Sequence, residues 1–221
     1  MLTIAKMGAH SVAYYQSTVD ENRGPDSYYS EDGKQPASAW LRGEKLSEVS
    51  AFLGTDNGAI VSGKTVENWF NKAVAPSGAG LGNAPRKDSV PGFDLTFCAP
   101  KSVSLLWGMG ADSDVRGIVD EAHQAAVSQA LDYLSEHAGY TRKQVKEPAG
   151  KRLVVEKLAG ISGVKYEHRT SRAGDPHVHS HVLLANKQLC RDGKVRTLDG
   201  VSLYHEARAA GMVYQLSLIH I

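Results

Sequence analysis

The sequence predicts an α+β domain, a mainly antiparallel sheet with helices packed on it. Three observations carry that prediction. Residues 92–98 (GFDLTFC) alternate Phe93, Leu95 and Phe97 with Asp94, Thr96 and Cys98, the period of a half-buried strand. Residues 112–137 place Val115, Val119, Ala122, Ala126, Ala130 and Leu134 at three-to-four spacing, the period of one long helix. After it come strand-like runs at 153–157, 162–169 and 177–186, and the turn Arg191-Asp192-Gly193-Lys194 leads into another at 195–198. Strands in close succession with helices outside them sum to this class.

Taken in order, residues 1–6 alternate weakly and predict a first strand. A helix over 9–18 carries Tyr14 and Tyr15, and the polar loop DENRGPDS leads to a second pair, Tyr28 and Tyr29. Residues 30–43 read as a polar loop with Trp40 as an anchor. Two short helices fit 44–53 and 65–73, and residues 75–90, rich in Gly, Pro and Ser, form a loop. Pro100 ends the GFDLTFC strand, and Lys101 to Ser104 open a short helix ending near Trp107. The last helix covers 203–215. No internal repeat is visible.

The chain has 221 residues, 42 % hydrophobic, with a formal net charge of +1, an ordinary globular composition large enough for one core. It has no apolar run long enough to span a membrane, and the N-terminus MLTIAKMGAH lacks the apolar core of a signal peptide. Two cysteines, Cys98 and Cys190, are too few for a disulfide framework, which points to a reducing, cytoplasmic setting. From Arg142 to Arg172 there are nine Lys/Arg against three Glu, either a solvated face or a phosphate-tracking surface. The final LSLIHI matches the translation of a transposase end used in sequencing libraries. We therefore expect a domain over 1–215 that is cut short, followed by a non-native tail at 216–221.

The richest stretch is HRTSRAGDPHVHSHVLLAN, residues 168–186, with four of the nine histidines. His177, His179 and His181 alternate, so they share one face of a strand. His177 and His181 stand roughly 13 Å apart along it, whereas imidazole nitrogens must lie about 2 Å from an ion such as zinc. Two neighbouring histidines can share an ion if a third ligand comes from elsewhere, and His168 is the nearest candidate. His10, His123, His137 and His205 read as surface or satisfied residues.

A metal, a strand acid and doubled tyrosines can be parts of one mechanism. A phenol with an ordinary pKa near 10 is a poor nucleophile until it loses its proton. A phosphodiester is anionic and repels the phenolate, and a divalent cation removes that repulsion. Attack by the hydroxyl leaves a phosphotyrosyl ester and a free 3′-OH, so the strand can be rejoined. Asp94 fits two roles, orienting a ligating histidine or taking the tyrosine proton. Tyrosine pairs are also common in cores, and on a helix only one of Tyr14 and Tyr15 can face a given phosphate.

PGFDLTFCAPKSVSLLW (91–107), HRTSRAGDPHVHSHVLLAN (168–186), the doubled tyrosines and RDGKVRTLDG together resemble the relaxase domain of MobF-type (TraI/TrwC-like) conjugative relaxases. The resemblance runs from Met1 to about Gln215. It implies a five-stranded antiparallel sheet flanked by helices, of the HUH endonuclease type. It also implies His168, His179 and His181 as metal ligands, with His177 outside the set and Asp94 beside it. Tyr14 would make the initial nick and Tyr28 a second transfer, with Tyr15 and Tyr29 as secondary candidates. The implied reaction is metal-dependent nicking and rejoining of one strand at a plasmid origin of transfer. The partners it implies are single-stranded or hairpin origin DNA, accessory relaxosome proteins, a coupling protein and a helicase domain absent from this fragment. Arg152, Lys165, Arg169, Arg172 and Arg196 are candidates for contact with the DNA backbone. The ion is expected to be Mg²⁺ or Mn²⁺ by availability and phosphate chemistry, whereas imidazoles favour Zn²⁺ or Ni²⁺. Alternatives are a rolling-circle initiator or transposase of the same chemistry, a DNA-binding module with a structural metal, and a zinc hydrolase. The last gives no reason for doubled tyrosines.

Overall fold

A computed structural model describes residues 1–8, 12, 36–86, 88–110, 113–148, 150–171 and 173–220. Five strands make the main sheet: β1 (Leu2–Lys6), β2 (Ser38–Arg42), β3 (Gly92–Cys98), β6 (Ile161–Thr170) and β7 (Pro176–Ala185). Their order is β1-β3-β7-β6-β2, and every pairing is antiparallel. Two small ribbons accompany it: β4 (Tyr140–Glu147) with β5 (Gly150–Lys157), and β8 (Lys187–Leu189) with β9 (Val195–Thr197). The described helices are α1 (Leu46–Leu53), α2 (Gly63–Lys72), α3 (Lys101–Met109), α4 (Ser113–Ala138) and α5 (Gly200–His220). The fold is α+β, as the sequence predicts.

Alternation along the strands separates two cores. On one face Leu41, Val164, Tyr166 and Leu183 pack with Val66, Trp69 and Phe70 of α2 and with Val49 and Leu53 of α1. On the other, Phe93, Leu95, Phe97, Val182 and Leu184 meet Ala126, Ala130, Leu131 and Leu134 of α4 and Leu203, Ala210 and Tyr214 of α5. The four α4 residues follow the three-to-four spacing that predicts the helix. α2 starts where the Ser62 side chain accepts the Thr65 N–H, satisfying an otherwise orphaned helix donor. α1 stops at Gly54, whose left-handed φ of 66° few other residues adopt cheaply.

Three readings are corrected. Residues 38–42 are not loop but the edge strand β2, because Ala39, Trp40 and Leu41 are all buried and pair with Ser162 to Val164. Residues 140–147 form an unanticipated strand paired with β5. The last helix runs from Gly200 to His220 rather than from 203 to 215. The helix expected over 9–18 lies outside the described residues except at Val12, which is helical and buried.

Candidate active site

The site lies where β3, β7 and β6 run side by side. His168 of β6 sits opposite His179 of β7, and Tyr166 opposite His181. From the other side, Thr96 of β3 sits opposite His181 and Cys98 opposite His179. Directly opposed residues in an antiparallel ladder share a face. The His168 ring centroid is 5.0 Å from that of His179 and 5.6 Å from that of His181, and His179 to His181 is 5.3 Å. Imidazoles bound at about 2 Å through nitrogen put their centroids roughly 3.2 Å from an ion, hence about 5 Å from each other in a tetrahedral arrangement. The donor set and its spacing therefore fit a divalent cation. The nitrogens themselves are not yet gathered. The His168 and His179 planes stack at 22°, and among the described residues no three His, Cys, Asp or Glu groups are set to hold an ion as they stand. Rotation of a ring must close the set.

The surroundings prepare these rings as ligands. Both oxygens of Asp94, a buried carboxylate, accept from His181 Nδ1, at 3.0 and 3.1 Å. Thr96 Oγ1 lies 3.1 Å from the same nitrogen and 3.3 Å from each carboxylate oxygen. An Nδ1–H held in this way places the lone pair on Nε2. His179 Nδ1 likewise donates to the His177 carbonyl at 2.8 Å. Burial pushes His168 down to about 4 and His179 down to about 3, with neighbouring His181 adding to both shifts. Both are neutral at physiological pH, the form that binds metal.

β7 carries a bulge beside these histidines. His168 pairs with His179 but Thr170 pairs with Pro176, so Val178 and His177 together oppose Arg169. His177 meets the His179 ring at 4.7 Å from the outer side. Its own pKa is lowered, first by burial and then by Lys101 and His181. Lys101 Nζ donates to the Pro176 carbonyl at 3.0 Å. Gly108 lets α3 approach closely there, since a Cβ on it would stand 2.4 Å from Pro176 Cγ.

The TrwC relaxase family model matches residues 8–220. The chain belongs to the TrwC relaxase family. It is similar to the multifunctional conjugation protein TraI of Escherichia coli, 32 % identical over 142 residues, which is 58 % of this chain and 7 % of that protein. With TraI of strain K12 it shares 34 % over 102 residues, 43 % of this chain and 5 % of the relative. The chain thus spans under a tenth of these relatives' length. Among solved structures, the metal-free conjugative relaxase TrwC in complex with oriT DNA superposes with a TM-score of 0.71 at 26 % identity, covering 100 % of this chain and 68 % of that one. The copper-bound TrwC–oriT complex gives 0.74 at 27 %, covering 100 % and 69 %.

In this member of the TrwC relaxase family, Tyr14, Tyr15, Tyr28, Tyr29 and Arg172 lie outside the described residues. Lys165 and Arg169 are not beside the histidines. Alternation turns them to the face that packs on α4, where Lys165 pairs with Glu167 at 2.5 Å and Arg169 with Asp120 at 2.8 Å. Arg152 is exposed on β5 and pairs with Glu147, and Arg196 pairs with Asp192. The β4–β5 ribbon holds further basic residues, brought together only by its register. In its register, Arg142 and Lys146 share a face with Lys151, Leu153, Val155 and Lys157, whereas both acids, Glu147 and Glu156, fall on the other. Lys146 stands directly opposite Lys151. The period-2 pattern in RKQVKE and KRLVVEK would have exposed this, had residues 140–147 been read as a strand. No described helix is long and apolar enough to cross a membrane.

Proposed function

We propose that this chain nicks and rejoins one DNA strand at a plasmid origin of transfer, through a phosphotyrosine intermediate and with a divalent cation. The observation that carries the reading is the gathering of His168, His179 and His181 on one sheet face with Asp94 behind His181. Three neutral imidazoles leave the charge of a dication uncompensated. Bound there, Mg²⁺ or Mn²⁺ would offset the charge on the non-bridging phosphate oxygens and polarise phosphorus. Zn²⁺ and Ni²⁺ suit the same nitrogen donors.

In this reading Tyr14 attacks phosphorus in line with the 3′ oxygen. The Tyr–O–P bond forms, the P–O3′ bond breaks, and the 5′ phosphate stays on the protein. The phenol gives up one proton and the departing 3′ oxygen takes one up, so the step is balanced and reversible. Tyr28 serves a second transfer. The carboxylate of Asp94 is committed to His181 and Thr96, which favours the orienting role over that of general base. Arg142 and Lys157 of the β4–β5 face are paired with Asp199 and Glu44, but Lys146 and Lys151 suit a DNA backbone, because two lysines directly opposed in a ladder repel each other and an anion between them relieves that. A two-stranded ribbon also fits the major groove of a duplex or hairpin stem. Origin DNA is the substrate, and the setting is the cytoplasm of the donor cell. There a helicase domain, accessory relaxosome proteins and a coupling protein complete the machinery.

The test is incubation with single-stranded oligonucleotides tiled across the neighbouring origin of transfer, with Mn²⁺, followed by a denaturing gel. A covalent adduct is expected, lost with chelator and in Tyr14→Phe. An adduct that survives Tyr14→Phe moves the nucleophile elsewhere, and no adduct under any metal rejects the reading.

A further inference from the structure

Behind the site, on the face of the sheet covered by α4 and α5, runs a buried polar chain. Ser180 lies between His179 and His181 on β7 and points the opposite way, toward α4. Its Oγ is 2.8 Å from Nε2 of His123, on α4. Nδ1 of His123 is 2.9 Å from the hydroxyl of Tyr214, on α5, whose ring also stands edge-on to the imidazole at 5.7 Å. All three side chains are buried; Phe97, opposite Ser180 and 5.4 Å from the Tyr214 ring, is apolar, while the charged Lys165, Glu167 and Arg169 of β6 lie on the same face and act on His123 through space.

Apolar residues of similar shape would fill this space about as stably, since buried hydrogen bonds gain little net free energy over apolar packing. What a hydrogen-bonded chain adds is direction. A neutral imidazole donates from one nitrogen and accepts at the other, so it fixes the placement of both partners. Burial keeps His123 neutral, with its pKa lowered to about 3. The bulge at His177 and Val178 breaks the β6 side of the ladder just before the two histidines, and the Ser180 hydroxyl adds a fixing point next to it. The pleat at Ser180 sets the angle between the side chains on either side of it.

We propose that His123 is a positioning residue for the metal centre: bonded to Ser180 and Tyr214, it holds β7 from behind so that His179 and His181 keep the ring spacing an ion requires. The proposal rests on the metal reading above. It ties the C-terminal helix, through Tyr214, to an ion site on the far side of the sheet.

The experiment uses the 221-residue chain and its variants His123→Leu, Ser180→Ala, Ser180→Thr and Tyr214→Phe. Mn²⁺ affinity is measured by calorimetry well below each melting temperature, and the visible bands of added Co²⁺ report coordination geometry. Ser180→Ala and His123→Leu should bind Mn²⁺ on the order of tenfold more weakly, and Tyr214→Phe a few-fold more weakly, all with altered Co²⁺ bands. Ser180→Thr keeps the hydroxyl and should bind like the parent. Lower melting temperatures with unchanged Mn²⁺ affinity and Co²⁺ spectrum would overturn the proposal, as would equal loss in Ser180→Thr and Ser180→Ala. If His123→Leu does not fold, Tyr214→Phe and the two Ser180 variants decide. A parent protein that binds Mn²⁺ no better than His179→Ala would sink the metal reading itself. A metal-binding parent with indifferent network variants sinks only this proposal.

Discussion

Replacing Asp94 tests the link between the carboxylate and the ion most directly. Asp94 accepts from His181 Nδ1 with both oxygens, at 3.0 and 3.1 Å, and is buried. A carboxylate in that place makes the imidazole a better donor at Nε2 and holds one tautomer. Asp94→Asn keeps one oxygen for the Nδ1–H but loses the charge, so the hydrogen bond drops from charge-assisted to neutral strength. Asp94→Ala removes the acceptor from both His181 and Thr96. Outer partners of metal-bound histidines contribute about 10–100-fold in affinity, about 1.4–2.8 kcal/mol. We expect Asn at the lower end of that range and Ala at the upper end. Calorimetric titration with Mn²⁺ gives the affinities, and single-turnover cleavage of an origin oligonucleotide at saturating metal separates binding from chemistry. Both variants binding Mn²⁺ as the parent does would refute the orienting role. Full metal affinity with abolished cleavage would instead make Asp94 the proton acceptor.

His177→Gln should leave nicking within about twofold of the parent, while His179→Ala should abolish it, because only the latter removes a ring from the set of three; equal losses in an oligonucleotide cleavage assay would undo that division. Lys151→Glu replaces a like-charged cross-strand pair with an attractive one, so the DNA-free protein should gain about 0.2–1 kcal/mol in denaturant titration. The same change should lower the salt slope of duplex binding by at least about 0.9, and an unchanged slope would take the β4–β5 face out of the interface. His123 has a folded pKa of about 3, below its ordinary 6.5, so the unfolded chain binds the extra proton between those values. Its contribution to stability is complete above about pH 6.5 and is lost as pH falls toward about 3, at about 1.4 kcal/mol per pH unit. Urea titrations of the metal-free protein at about pH 7 and about pH 5 should show His123→Leu losing less stability than the parent; equal losses would show that His123 is not the buried neutral group described.

What could be read in the chain was what local periodicity encodes. A period of two put His177, His179 and His181 on one face of β7 and set Asp94 and Thr96 apart from Phe93, Leu95 and Phe97 on β3. A period near 3.6 marked α4. These patterns survive because each strand or helix buries one side of itself, whatever its partners are. Two elements were less legible. β2 hid in a polar segment because only three of its residues, Ala39 to Leu41, carry the apolar signal. β4 hid because a ribbon open to solvent needs little apolar sequence, and its cations look like an ordinary charged run. Lys165 and Arg169 drew notice by charge, but alternation about His168 sends them to the opposite face, into ion pairs.

The sequence by itself thus determined which residues share a face, and the family motifs named the groups expected to react. Only the tertiary structure decided which faces meet. The pairing of His168 with His179 joins residues 11 positions apart, the seating of Asp94 against His181 joins residues 87 apart, and the two bonds of the Ser180–His123–Tyr214 chain span 57 and 91. Strand register across such separations follows from burying two cores on opposite sides of one sheet at once. A shift of a single residue would turn the histidines into the core under α4 and α5 and Val178, Ser180 and Val182 out to the site. That cost belongs to the whole packed sheet and is written in no single stretch of the chain.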